Sequence, residues 1–197
     1  MDIVFDVGGV LLHWDPAAIA GQVFPDPDIR GRFLADVLGD GYWIRYDKGE
    51  LTAARLTEMV YRDIGIPREQ MSAFIEAAKS ALLPKEDTLE VVRRLRRSGN
   101  RLFVLSNMPS EMADYIRSAY AFWDFFDGTV FSGYVRMVKP DEEMFHYLFS
   151  QYRLVPEQTV FIDDSAMNIE AAARLGVQGM LFQDADTLQK KLKPYLT

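Results

Sequence analysis

Short, nearly continuous apolar runs recur along this chain, and after the first of them each is set off by stretches with helical spacing. The strand-like runs are Asp2–Val7, Arg101–Ser106, Thr129–Phe131, Thr159–Asp163 and Gln178–Phe182. Runs of this kind, rich in Val, Ile and Phe, suit strands buried on both faces of a parallel sheet. Between them, Lys85–Arg97 carries Leu89, Val92 and Leu95 at spacings of three and ends at Ser98-Gly99-Asn100. Further helices are predicted over Met112–Ala119, Glu142–Gln151, Ser165–Leu175 and Thr187–Tyr195, with Gly176 a favourable helix stop. Strand-helix alternation of this type predicts a doubly wound, Rossmann-like α/β fold with a parallel five-stranded sheet.

Residues 15–83 break the alternation. They carry no strand signal, and helical patterns fall at Pro16–Val23, Asp28–Leu38, Leu51–Asp63 and Arg68–Leu82. Breakers at Pro25-Asp26-Pro27, Gly39-Asp40-Gly41, Gly49 and Gly65-Ile66-Pro67 punctuate them. A segment this long exceeds an ordinary crossover. The expected organisation is a core of residues 1–14 and 84–197 with an all-helical cap at 15–83.

The chain has 197 residues, 49% of them apolar, including 13 Phe and 9 Tyr, which is enough for one well-packed domain with an insert. A formal charge of −7 argues against a nucleic-acid partner. The absence of Cys excludes disulfides and thiolate chemistry, and with only two His any metal would be held by oxygen. No apolar run reaches the roughly 18 residues of a membrane span, and the N-terminus lacks a basic leader, so no membrane association and a cytoplasmic location are expected.

Ligands of open α/β sheets bind beyond the carboxyl ends of the strands. Asp6 ends the first run, Ser106-Asn107 the second, and Asp163-Asp164 the fourth, with Asn168 a turn later; Lys139-Pro140 follows the third. Three acids crowded on one rim call for a cation. A divalent metal between them, a lysine and main-chain N–H groups would make a phosphoryl site, at which the Asp6 carboxylate could attack phosphorus. Gly8 lets backbone approach such a metal, because it has no Cβ.

The ordered set Asp6-x-Gly8-Gly9-Val10, Ser106-Asn107, Lys139-Pro140 and Asp163-Asp164-Ser165-x-x-Asn168 resembles the four motifs of the haloacid dehalogenase (HAD) superfamily. The helical insert is similar to that superfamily's C1 cap. The resemblance implies a magnesium-dependent phosphatase of a small phosphorylated metabolite, working through an aspartyl phosphate. It makes Asp6 the nucleophile and gives catalytic roles also to Ser106 and Lys139. Substrate contacts would come from Ser106, Asn107, Lys139 and Gly9, and metal contacts from Asp6, the Gly8 carbonyl, Asp164 and Asp163. Asn168 is left a supporting role.

One departure matters. Many family members carry an acid two residues after the nucleophile, where this chain has Gly8. General acid–base help of that kind is worth about 10²–10⁴-fold. The alpha-D-glucose-1-phosphate phosphatase type resembles this chain in having Gly there, which points to sugar phosphates. Two alternatives stay open: a 2-haloacid dehalogenase, which needs no such acid, and a catalytically weak binding protein of the same fold.

His13 and Arg45 are further candidates for substrate contact, the latter within the aromatic cluster Tyr42–Gly49, and His13, Asp15 or a cap residue could supply the missing proton. Trp14 reads as core. The arginines at 93, 94, 96 and 97 read as a solvated helix face. An aromatic-rich helical insert could also pair two copies as a homodimer.

Overall fold

The computed structural model describes residues 1–39 and 41–196; Asp40, inside the predicted breaker Gly39-Asp40-Gly41, lies outside them, as does Thr197. Five strands form one parallel sheet: β1 (Asp2–Phe5), β2 (Arg101–Ser106), β3 (Gly128–Phe131), β4 (Thr159–Asp163) and β5 (Gln178–Leu181), in the order β3-β2-β1-β4-β5. Alternate residues point to opposite faces, and both faces are covered. Ile3, Phe5, Val104 and Ile162 belong to one buried cluster; Val4, Phe103, Leu105 and Phe161 belong to the other. That two-sided burial is why these strands read as unbroken apolar runs.

Among the described residues, five α-helices lie between β1 and the next core helix: α1 (Pro16–Val23), α2 (Pro27–Arg32), α3 (Tyr42–Asp47), α4 (Ala53–Ile64) and α5 (Arg68–Ala81). Asp15 caps α1 by accepting the Ala18 N–H at 2.9 Å, and Thr52 caps α4 through the Arg55 N–H at 3.2 Å. The predicted helix over Asp28–Leu38 divides into α2 and a π-helical stretch, Phe33–Gly39. Phe24, Phe33, Trp43 and Phe74 pack ring against ring inside this insert. An isolated bridge between Leu12 and Pro84 closes its base, and the Tyr120 hydroxyl donates to the Leu82 carbonyl at 2.8 Å.

The remaining helices are α6 (Glu86–Arg97), α7 (Ser110–Ala119), α8 (Ser132–Val135), α9 (Glu142–Tyr152), α10 (Ala166–Arg174) and α11 (Ala185–Lys191). On α6, Arg93 and Arg97 pair with Glu86 and Glu90, so this is the solvated face expected of the arginine run. In this strand order β1 is central, flanked by β2 and β4, and the crevice at the carboxyl ends lies where the connections diverge to either side.

Candidate active site

Asp6 stands one residue beyond β1, its N–H held by the Ile162 carbonyl at 2.9 Å. The chain then folds into a tight turn. The N–H groups of Leu11 and Leu12 both donate to the Val7 carbonyl at 2.9 Å, and the Gly9 N–H donates to the Leu12 carbonyl at 2.9 Å. Val10, Leu11 and Leu12 are fully buried, which fixes the turn under the sheet's rim. Gly9 has φ of 74°, and a Cβ there would lie 2.0 Å from Asp164 Oδ2, so only glycine fits between the turn and that carboxylate. Lys85 Nζ donates to the Gly9 carbonyl at 2.8 Å from below.

Lys139 is buried among carboxylates. Its Nζ lies 2.8 Å from Asp6 Oδ1 and 2.6 Å from Asp163 Oδ2. Burial opposes its charge, but the Asp6 and Asp163 carboxylates outweigh burial and hold it above the ordinary lysine range. Asn107 fixes the lysine's backbone: its Nδ2 donates to the Lys139 carbonyl and its Oδ1 accepts the Lys139 N–H, each at 2.8 Å. The Asn107 side chain is therefore a strut. The N–H groups of Asn107 and Gly8 donate no hydrogen bond within the protein among the described residues, and neither does the Ser106 hydroxyl, which faces the same cavity.

Asp6, Asp163 and Asp164 each present a carboxylate oxygen within 4.8 Å of the others. Asp163 belongs to the group by distance, yet its oxygens already accept from Lys139 and the Ser165 N–H, and each of them accepts from Asn168 Nδ2. Burial pushes the Asp6 carboxyl up to about 7, with Lys139 pulling down and Asp163 pushing up. Burial and then Asp163 also raise Asp164. An all-oxygen donor set whose charges resist exposure to one another fits a hard divalent cation, which would let both carboxylates ionise.

These groups open into a cavity of about 310 Å³. Asp6, Gly8, Ser106, Asn107, Lys139, Asp164 and Asn168 line its polar end. Trp14, Leu38, Trp43, Leu82, Met108 and Met112 form most of the rest. Trp14, read as core, faces the cavity and stacks on Trp43 with ring centroids 6.0 Å apart.

Three expected contacts are not brought there. Gly9 does not line the cavity: its N–H donates to Leu12 and its carbonyl accepts from Lys85, so it serves the turn and not the substrate. His13 is exposed and lines a separate hollow with Asp15, Ala18 and Ala77, because its N–H is tied to the Leu83 carbonyl and its side chain turns toward α1 and α5. Arg45 is exposed on α3 and pairs with Glu50 at 3.3 Å, away from the cavity. One residue the sequence reading missed is present: Asp47, at the end of α3, is buried and lines the cavity with Asp6. Its sequence signal was slight, a lone acid before Gly49 in an aromatic run.

A doubly wound sheet with three carboxylates and a buried lysine at its rim defines a metal-competent hydrolytic type of site at the strand ends. The chain belongs to the haloacid dehalogenase-like hydrolases, whose family model matches residues 3–176. The sesquiterpene phosphatase astK of Aspergillus oryzae is 25% identical over 182 residues, covering 92% of this chain and 89% of that protein. Among solved structures, a HAD family enzyme from Bacteroides thetaiotaomicron, in complex with magnesium and inorganic phosphate, superposes with a TM-score of 0.73 at 24% identity, covering 95% of this chain and 98% of that one. The L-2-haloacid dehalogenase of Xanthobacter autotrophicus gives 0.68 at 17% identity, covering 98% and 82%. These two likenesses concern the fold.

Proposed function

We propose that this protein is a magnesium-dependent phosphatase of small phosphorylated metabolites in which Asp6 is the nucleophile. The observation that carries this reading is the Asp6–Lys139–Asp163 ion array beside Asp164 at the cavity's polar end. Asp6, Asp164 and the Gly8 carbonyl would hold the metal. Asp163 is better described as the group that fixes Lys139, since its oxygens are already engaged. Bound there, magnesium supplies charge neutralisation for a phosphoryl group.

The chain's own residues supply the rest. The Ser106 hydroxyl and the free N–H groups of Asn107 and Gly8 bind phosphoryl oxygens. Lys139 neutralises both the phosphate and Asp6, so that two anions can meet. Asp6 attacks phosphorus in line, the ester oxygen departs, and water then hydrolyses the acyl phosphate to return Asp6 and release phosphate. The helical insert, read as a cap over 15–83, keeps bulk water from the reaction.

The organic part of the substrate would lie against Trp14, Leu38, Trp43, Leu82, Met108 and Met112. That wall offers hydroxyl groups few partners. It suits an apolar or aromatic body better than the sugar phosphates suggested by sequence resemblance, and the similarity to a sesquiterpene phosphatase supports the same choice.

Dehalogenation is the weaker reading. It would leave the acids at 163 and 164 crowded beside Asp6 for no chemical purpose, whereas phosphoryl transfer uses a metal there. The test is a turnover screen with isoprenyl, sugar and nucleoside phosphates and 2-haloacids, with and without EDTA. The proposal expects magnesium-dependent phosphate release, highest for the apolar esters; halide release that survives EDTA would overturn it.

A further inference from the structure

Expelling an alkoxide from phosphorus requires a proton, and the groups at the cavity's polar end are otherwise engaged. Asp6 attacks, Lys139 is clamped between two carboxylates, Asp163 holds Lys139, and Asp164 sits in the metal-competent group. Asp47 remains. It comes from the insert, at the last residue of α3. Only 8% of it is exposed, and it lines the cavity that Asp6 opens into. Its carboxylate receives no hydrogen bond among the described residues.

The backbone around it is fixed. The Ser132 hydroxyl donates to the Asp47 carbonyl at 2.5 Å and accepts the Met108 N–H at 2.8 Å. Gly49, two residues on with φ of 70°, lies so close to Gly133 that a Cβ there would sit 2.5 Å from the Gly133 carbonyl oxygen. Tyr46 reaches Glu111 on α7 at 3.3 Å. This end of α3 is thus pinned to the core beside the strand ends, so the carboxyl is held at the wall of the cavity that Asp6 also lines.

Resting on the phosphatase reading above, we propose that Asp47 is the catalytic residue that protonates the leaving oxygen. In the first half-reaction the Asp6 oxygen–phosphorus bond forms, the phosphorus–ester oxygen bond breaks, and the Asp47 proton passes to that oxygen to give the free alcohol. In the second, water attacks phosphorus, its proton returns to the Asp47 carboxylate, and phosphate and the Asp6 carboxylate are released. Burial first, and then the Asp6 charge, push the Asp47 carboxyl well above the usual range despite Lys139, consistent with a group that enters the reaction protonated. Its place at a helix C-terminus acts in the same direction.

The experiment compares wild type, Asp47→Asn and Asp47→Asn/Gly8→Asp on a series of phosphate esters running from 4-nitrophenyl to simple alkyl, with magnesium present. The second substitution is admissible, because the nearest atoms to a Cβ at Gly8 belong to the Trp14 side chain, at ordinary contact distances from 3.4 Å. The loss in kcat/KM for Asp47→Asn should grow with the basicity of the leaving group, reaching about 10²–10⁴-fold for alkyl esters. The added acid at position 8 should recover part of the alkyl activity. A loss equal for every leaving group, in a protein whose thermal midpoint matches wild type, would overturn the role of Asp47 while leaving the phosphatase reading intact. Wild type that hydrolyses no ester in the series would overturn both.

Discussion

Replacing Lys139 by Met removes the ammonium that stands between two buried carboxylates. Nζ lies 2.8 Å from Asp6 and 2.6 Å from Asp163, and the lysine side chain is only 1% exposed. Removing one partner of a buried pair typically costs about 3–5 kcal/mol, because the remaining charge is left without compensation. Unfolding entropy of about 2.1 cal/mol/K per residue gives about 0.4 kcal/mol/K for 197 residues, so the thermal midpoint should fall by about 7–12 °C. The fall should also depend on pH. The Asp6 carboxyl is raised from 3.8 to about 7 on folding, chiefly by burial. A raised acid contributes stability that is fully present below about pH 4 and is lost as pH rises through about 7. Without the ammonium the carboxyl rises further, so the variant should come nearest to wild type in mild acid and fall furthest behind above about pH 8. Circular dichroism melts in EDTA at the two pH values measure this. Adding Asp163→Asn should restore part of the midpoint and none of the activity. A fall of less than about 2 °C in alkaline buffer, or one that is larger in acid, would refute the buried-array reasoning.

Other expectations are equally specific. Asp6→Asn should abolish turnover while leaving the far-ultraviolet spectrum of the folded protein unchanged. Gly9→Ala should cost about 1–2 kcal/mol from its left-handed φ alone. It should also weaken magnesium binding, read by titration of activity, because the new methyl group displaces Asp164. Ser106→Ala removes one donor to the phosphoryl group and should lower kcat about 10²-fold, read by steady-state kinetics. Because Asp6 titrates near 7 and Asp164 is also raised, magnesium must displace protons, so its apparent affinity by calorimetry should rise with pH up to about neutrality.

Much of the fold was legible because its signals are local. The strands β2 and β4 have the residues expected of them, since unbroken runs rich in Val, Ile and Phe suit a sheet covered on both faces. Asp6, Ser106, Lys139, Asp163 and Asp164 were legible because strand ends in such sheets share one rim. What escaped depends on contacts distant in sequence. Helix α3 has six residues, no side-chain cap, and Gly41 at its N-terminus, so its own sequence barely marks it. Asp47 acquires its place through Ser132, Gly133 and Glu111, which come from far along the chain. The direction of Arg45 was open to sequence reasoning in principle, since Glu50 lies close by in the chain and pairs with it at the surface. His13 could not be placed that way, because the Leu83 carbonyl that turns it comes from the far end of the insert.

The central claim is that Asp6 becomes phosphorylated. Rapid mixing of the magnesium-loaded protein with an aryl phosphate, acid quench and peptide mass mapping tests it directly. One phosphoryl group should appear on the peptide containing Asp6 within the first turnover and be absent from Asp6→Asn. Phosphate release at the full steady-state rate with Asp6 never modified would contradict the account.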